Sequence, residues 1–93
     1  MRKYELIFIA HPDLDEAAMT SLIEKVQGWI VGSGGTVEQM DLWGRRRMAY
    51  SIHKQREGQY VYLLVNFPPA FSAELDRNMR LTESVMRYLV TAQ

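Results

Sequence analysis

No cysteine occurs in this sequence, so neither a disulfide framework nor a thiolate metal site can form, and a reducing compartment is allowed. Long apolar runs are missing too. The run Leu6–Ala10 has five residues before His11-Pro12, too few for a signal-peptide core. No segment approaches the ~20 apolar residues of a membrane-spanning helix. A protein with no membrane contact, soluble in the cytoplasm, is expected. Histidine is scarce, with only His11 and His53, and no His-x-x-x-His spacing points to a metal. Net charge is absent as well: eleven bases balance eleven acids, unlike a stand-alone nucleic-acid binder. The distribution is uneven, however. Residues 1–41 carry three bases and seven acids, and residues 42–93 carry eight bases and four acids. Such a bipolar chain can offer one face to phosphate and another to a basic protein.

The 93 residues suffice for one domain with a real core, spanning residues 1–93. Its most distinctive stretch is Leu42-Trp43-Gly44-Arg45-Arg46-Arg47-Met48-Ala49-Tyr50-Ser51-Ile52-His53-Lys54, which holds four of the eleven basic residues. Gly44 marks a bulge or bend, which re-aims the side chains beside it. Three adjacent guanidiniums on a strand suit phosphate oxygens, because each planar fork can pair with them bidentately. The same charges would also keep a sheet edge from aggregating.

Taken in order, Tyr4–Ala10 reads as a strand with Tyr4, Leu6, Phe8 and Ala10 on one face and Glu5, Ile7 and Ile9 on the other. Pro12–Asp15 is a turn, with Asp15 as the N-cap of a helix and Glu16 complementing its dipole. Met19, Leu22, Ile23, Val26, Trp29 and Ile30 then recur at helical spacing, until Gly32-Ser33-Gly34-Gly35 ends the helix. These glycines are no phosphate loop, since they follow a helix and lack a Gly-Lys-Ser/Thr ending. A second strand starts over Thr36 to about Asp41 and resumes beyond Gly44 towards His53, and Lys54–Gly58 is expected to form a polar hairpin loop. The third strand, Gln59–Phe67, puts Val61, Leu63, Val65 and Phe67 on one face and Tyr60, Tyr62, Leu64 and Asn66 on the other; Pro68-Pro69 breaks it. A helix follows from Ala70 to about Leu81, with Phe71, Leu75, Met79 and Leu81 facing the core, and Val85–Thr91 is a last strand. In that strand alternation sets Met86, Tyr88 and Val90 against Val85, Arg87 and Leu89. The order βαββαβ predicts an α+β, ferredoxin-like fold: a four-stranded antiparallel sheet with two helices packed on one face.

Such a fold leaves the second sheet face open, with Ile7, Ile9, Tyr60, Tyr62 and Leu64 on it. A patch of this kind calls for a protein partner or for bases stacked on its aromatics. The RNA-recognition run of basic, Gly, aromatic, Gly, aromatic residues is missing from the third strand. The reading is therefore a protein partner on the open face, with RNA reached through basic edges. Trp29 reads as core, and Trp43 as either core or interface.

The chain resembles the bacterial small-subunit ribosomal protein S-six family. The resemblance rests on Met1–Glu5, Pro12–Asp15, Gly44–Ile52, Gly58 with Tyr60, the strand end Phe67-Pro68, and Val85–Val90. Met48 stands where leucine is common and His53 where lysine is common. The resemblance implies a non-catalytic, ribosome-bound protein without cofactor or small-molecule substrate. It also implies binding to the central domain of small-subunit ribosomal RNA together with the small basic ribosomal protein S-eighteen. Candidate RNA contacts are Arg2, Lys3, Arg45, Arg46, Arg47, Lys54 and Arg87, with Arg56 on the same loop as Lys54; candidate partner contacts are Ile7, Ile9, Tyr60, Tyr62 and Leu64. The alternatives are a small dimeric ferredoxin-like enzyme of monooxygenase or isomerase type, using His11 or His53 as base, and a small-molecule-sensing domain of the same fold. Neither predicts an arginine triplet beside a bulge. Asp13 and Asp15 are explained by helix-start chemistry.

Overall fold

The computed structural model describes residues 1–52 and 54–93, so expectations about His53 lie outside the described residues. The elements are β1 (Arg2–Ala10), α1 (Glu16–Gly32), β2 (Thr36–Ile52), β3 (Gln55–Phe67), α2 (Ser72–Arg80, preceded by a 3-10 turn over Pro69–Phe71) and β4 (Val85–Ala92). The strands pair in the order β2-β3-β1-β4, antiparallel throughout. This is the expected ferredoxin-like arrangement. The first and last strands lie side by side, with Tyr4 opposite Ala92.

The core forms between the helices and one sheet face because strand alternation and helical spacing converge there. Leu6, Phe8, Leu63, Val65 and Phe67 are fully buried against Val26, Ile30, Leu75 and Met79. At its lower end Tyr4 stacks on Phe67 (ring centroids 4.0 Å apart), and Phe71 meets Phe67 edge-on at 5.5 Å. Asp15 caps α1 as predicted, its Oδ1 accepting from the Ala18 N–H at 2.8 Å. Trp29 is half-buried and packs against the core.

Several expectations need correction. β2 is one strand from Thr36 to Ile52, not two segments; the irregularity at Gly44 is a bulge within it. Nor is Lys54–Gly58 a loop. The pairing breaks after Arg47–Glu57 and resumes where Ile52 opposes Gln55, and Lys54, at φ 66°, is in the turn. Gly58 sits inside β3 opposite Arg46. Its lack of a side chain serves packing rather than turning, since a Cβ there would stand 2.2 Å from Ile9 Cγ2. In the last helix Leu81 is exposed, not core-facing. At about 100° per residue it lies roughly 200° around the axis from Met79. Finally, Val85 joins the core side of β4. Ile9 pairs with Arg87 and Ala10 with Val85, so one extra residue at this bulge shifts the alternation by one.

Candidate nucleic-acid interface

The bulge in β2 builds the site. Leu42 opposes Val61 and Gly44 opposes Tyr60, so Trp43 is an extra residue without a partner of its own on β3. Gly44 makes this possible by adopting φ +82°, a conformation that L side chains rarely take. Trp43 is thereby placed on the open face, where its ring lies parallel to that of Tyr62, with centroids 5.6 Å apart. The Arg46 guanidinium lies 5.3 Å from the centre of the Trp43 ring.

The three adjacent arginines have different surroundings. Arg45 Nη2 donates to the Pro12 carbonyl at 2.6 Å, and Nη1 lies 3.7 Å from the Glu57 carboxylate. Its cross-strand neighbour Gln59 donates to the carbonyls of His11 (3.2 Å) and Leu14 (3.0 Å). Together they fasten the β1–α1 loop to the sheet, which gives Arg45 a structural task. Arg46 is stacked on Trp43. Arg47 is exposed and makes no hydrogen bond or ion pair among the described residues; with Arg56 it lines a shallow cavity of about 350 Å³ beside Met48, Tyr50 and Ser51. This cavity exists because residues 48–51 of β2 face only Arg56 between the Arg47–Glu57 and Ile52–Gln55 pairs.

Arg87 belongs to the same end of the sheet. It pairs with Ile9, Ile9 with Tyr60, and Tyr60 with Gly44, so one row crosses all four strands from Arg87 to the bulge. Its guanidinium lies 5.7 Å from the centre of the Tyr50 ring. Tyr50 is on β2, at the opposite edge of the strand order, so the outer part of the β2–β3 hairpin curls across the open face to reach β4. Ile9 and Met48 are buried apolar residues outside the main core cluster. Lys54 and Arg56, near the hairpin tip, are exposed.

Arg2 and Lys3 do not join this group. Lys3 precedes Ile9 by six residues on β1, roughly 20 Å along the strand, and its ammonium pairs with Glu38 at 3.2 Å. The proposed RNA contacts are therefore split between the two ends of the sheet. Among the proposed partner contacts, Ile7, Tyr60, Tyr62 and Leu64 are half-buried on the open face, whereas Ile9 is already covered by the chain itself. Tyr62 donates to the Glu5 carboxylate at 2.7 Å. That bond, aided by the Gln93 side chain, holds Glu5 below its ordinary pKa, and it raises that of Tyr62. The sequence reading left Trp43 undecided and gave Tyr50 no role. Aromatic residues flanking an arginine run next to a predicted bulge were the available signal.

His11 is occupied in its turn, with Nδ1 accepting from the Asp13 N–H at 3.2 Å. Among the described residues no cluster of His, Asp or Glu could hold a metal, and no helix is long and apolar enough to cross a membrane.

Comparison with known proteins gives one consistent result. The family model described as Ribosomal protein S6 matches residues 3–92. The small ribosomal subunit protein bS6 of Clostridium perfringens is 44% identical over 93 residues, covering 100% of this chain and 98% of its own. Its counterpart from Clostridium beijerinckii is 49% identical over 92 residues, covering 97% and 95%. The crystal structure of 30S ribosomal protein S6 from Thermotoga maritima superposes with a TM-score of 0.93 at 28% identity, over 99% of this chain and 87% of that one. Matched in sequence along nearly its whole length and in the order of every strand and helix, the chain belongs to the ribosomal protein S6 family, whose members are structural ribosomal proteins and not enzymes.

Proposed function

We propose that this chain is a structural component of the small ribosomal subunit, working bound to the ribosome in the cytoplasm. In this reading it binds the central domain of small-subunit ribosomal RNA together with the small basic protein S-eighteen. The observation that carries the reading is the single row that ends in Arg87 on one side and in the bulge before Arg45–Arg47 on the other. Exposed guanidiniums at one end of a sheet provide the positive footprint that a phosphate backbone requires. Beside them Ile7, Tyr60, Tyr62 and Leu64 offer half-buried apolar surface of the kind a protein partner covers. The acidic first part of the chain suits a basic partner, and such a partner would supply the positive charge that this chain, at net zero, lacks.

A titration against a central-domain fragment of small-subunit ribosomal RNA, with and without S-eighteen, tests the reading. Tight binding only when both proteins are present is the expected result, with affinity falling as salt rises because counterions rebind on dissociation. No binding in either condition, with this chain a stable homodimer by sizing, would overturn it.

A further inference from the structure

A continuous series of contacts crosses the open face from β1 to β2. The Glu5 carboxylate accepts from Tyr62, Tyr62 stacks on Trp43, and Trp43 lies under the Arg46 guanidinium while its carbonyl accepts from Arg46 Nε at 3.4 Å. Each group is held by the one before it, and Glu5 and Tyr62 stand on the two central strands, β1 and β3. The carboxylates on this face are already engaged, Glu38 by the Lys3 ammonium at 3.2 Å. Glu5 is bonded to Tyr62, and Asp41, opposite Tyr62, accepts from Gln39 at 2.6 Å. No carboxylate among the described residues neutralises Arg46, and its Nη groups have no hydrogen-bond partner there.

A long arginine free in water loses much rotamer freedom when it grips a phosphate. One already stacked on an indole and tethered through Nε has less to lose. We infer that Trp43 is a positioning residue that holds the Arg46 guanidinium on the open sheet face for an RNA phosphate. The inference rests on the RNA-binding reading above, and it changes where the RNA meets the protein. The contact lies on the open face, at the margin of the apolar patch, rather than along the sheet's outer edge.

The test is a double-substitution cycle with Trp43→Leu, Arg46→Ala and the pair. Binding to the central-domain RNA fragment is measured with S-eighteen present, over a salt series. Arg46→Ala should weaken binding about ten-fold, as expected for loss of a charge-assisted contact. Trp43→Leu should weaken it about three-fold, in keeping with an exposed cation–π contact. It should also lower the magnitude of the salt slope, and Trp43→Phe should restore both. Once Arg46 is alanine, Trp43→Leu should have no further effect. A merely structural role, or a loss of pairing with S-eighteen, would instead persist in the double variant and overturn the inference. So would wild-type affinity for Trp43→Leu while Arg46→Ala is weakened, which leaves the RNA reading standing. Wild-type affinity for Arg46→Ala, Arg47→Ala and Arg87→Ala alike overturns both.

Discussion

The two faces of the sheet are made from alternate residues of the same strands, yet they are held by different chemistry. On the helix-covered face Leu6, Phe8, Val61, Leu63, Val65 and Phe67 are fully buried, and apolar contact does the work. On the open face Tyr62, Trp43 and Arg46 form a stack, and Tyr50 meets Arg87. Tyr62, Trp43 and Tyr50 there each have a polar or cationic neighbour. The first arrangement stabilises the fold by removing area from water. The second keeps large side chains in fixed positions while leaving them reachable, as a recognition surface needs.

Substitutions on the two faces should therefore separate stability from binding. The largest expected effect is Phe67→Ala, which removes a ring stacked on Tyr4 and met edge-on by Phe71, and should cost about 3–5 kcal/mol in urea unfolding. A small loss would show that the core can collapse around the gap. Gly58→Ala should cost about 1–3 kcal/mol in the same measurement, because the new Cβ must displace Ile9. Wild-type stability would mean that the hairpin moves freely over β1. In the complex proposed above, Tyr62→Lys should weaken pairing with S-eighteen at least ten-fold while the chain stays folded, since a charge would enter the apolar patch. Undiminished pairing would place the partner elsewhere.

Tyr62→Phe is subtler. Glu5 is held below its ordinary pKa of 4.5, chiefly by Tyr62. Its contribution to stability is present above pH 4.5 and is lost as pH falls through the depressed value. The acid limb of unfolding should therefore be shallower in Tyr62→Phe than in the wild type. Tyr62 itself titrates above 10.0, so its contribution is present below pH 10.0 and is lost on passing the raised value. An identical acid limb would remove the Glu5–Tyr62 bond from the account. The smallest effect belongs to Lys3→Ala. Its ion pair with Glu38 is exposed and should change stability by less than about 1 kcal/mol.

Sequence reasoning did best where one periodicity governed. The faces of β1 and β3 and the buried stripe of α1 follow directly from spacings of 2 and 3.6 residues. It failed at Val85, where a one-residue bulge on β4 reversed the alternation, and at Gly58, a glycine read as a turn although it clears space for Ile9. The site was legible as composition but not as geometry. Three consecutive arginines look equivalent in a sequence. Only tertiary contacts distinguish Arg45, bound to Pro12 and Glu57, from Arg46 on its indole and Arg47 at the cavity. The ion pair of Lys3 was illegible for the same reason, since Glu38 reaches it only after β2 has paired with β3.

The central position of β1 also has a consequence for synthesis. β1 is made first, and one of its two neighbours, β4, is the last strand made. At about 5–20 residues per second, Leu6 and Phe8 wait roughly 4–16 s after emerging in sequence before Val90 and Tyr88 can flank them. During that interval one hydrogen-bonding edge of this central strand has no native partner. The growing chain thus carries its adhesive segment longest, and a ribosome that pauses late in this message prolongs that exposure.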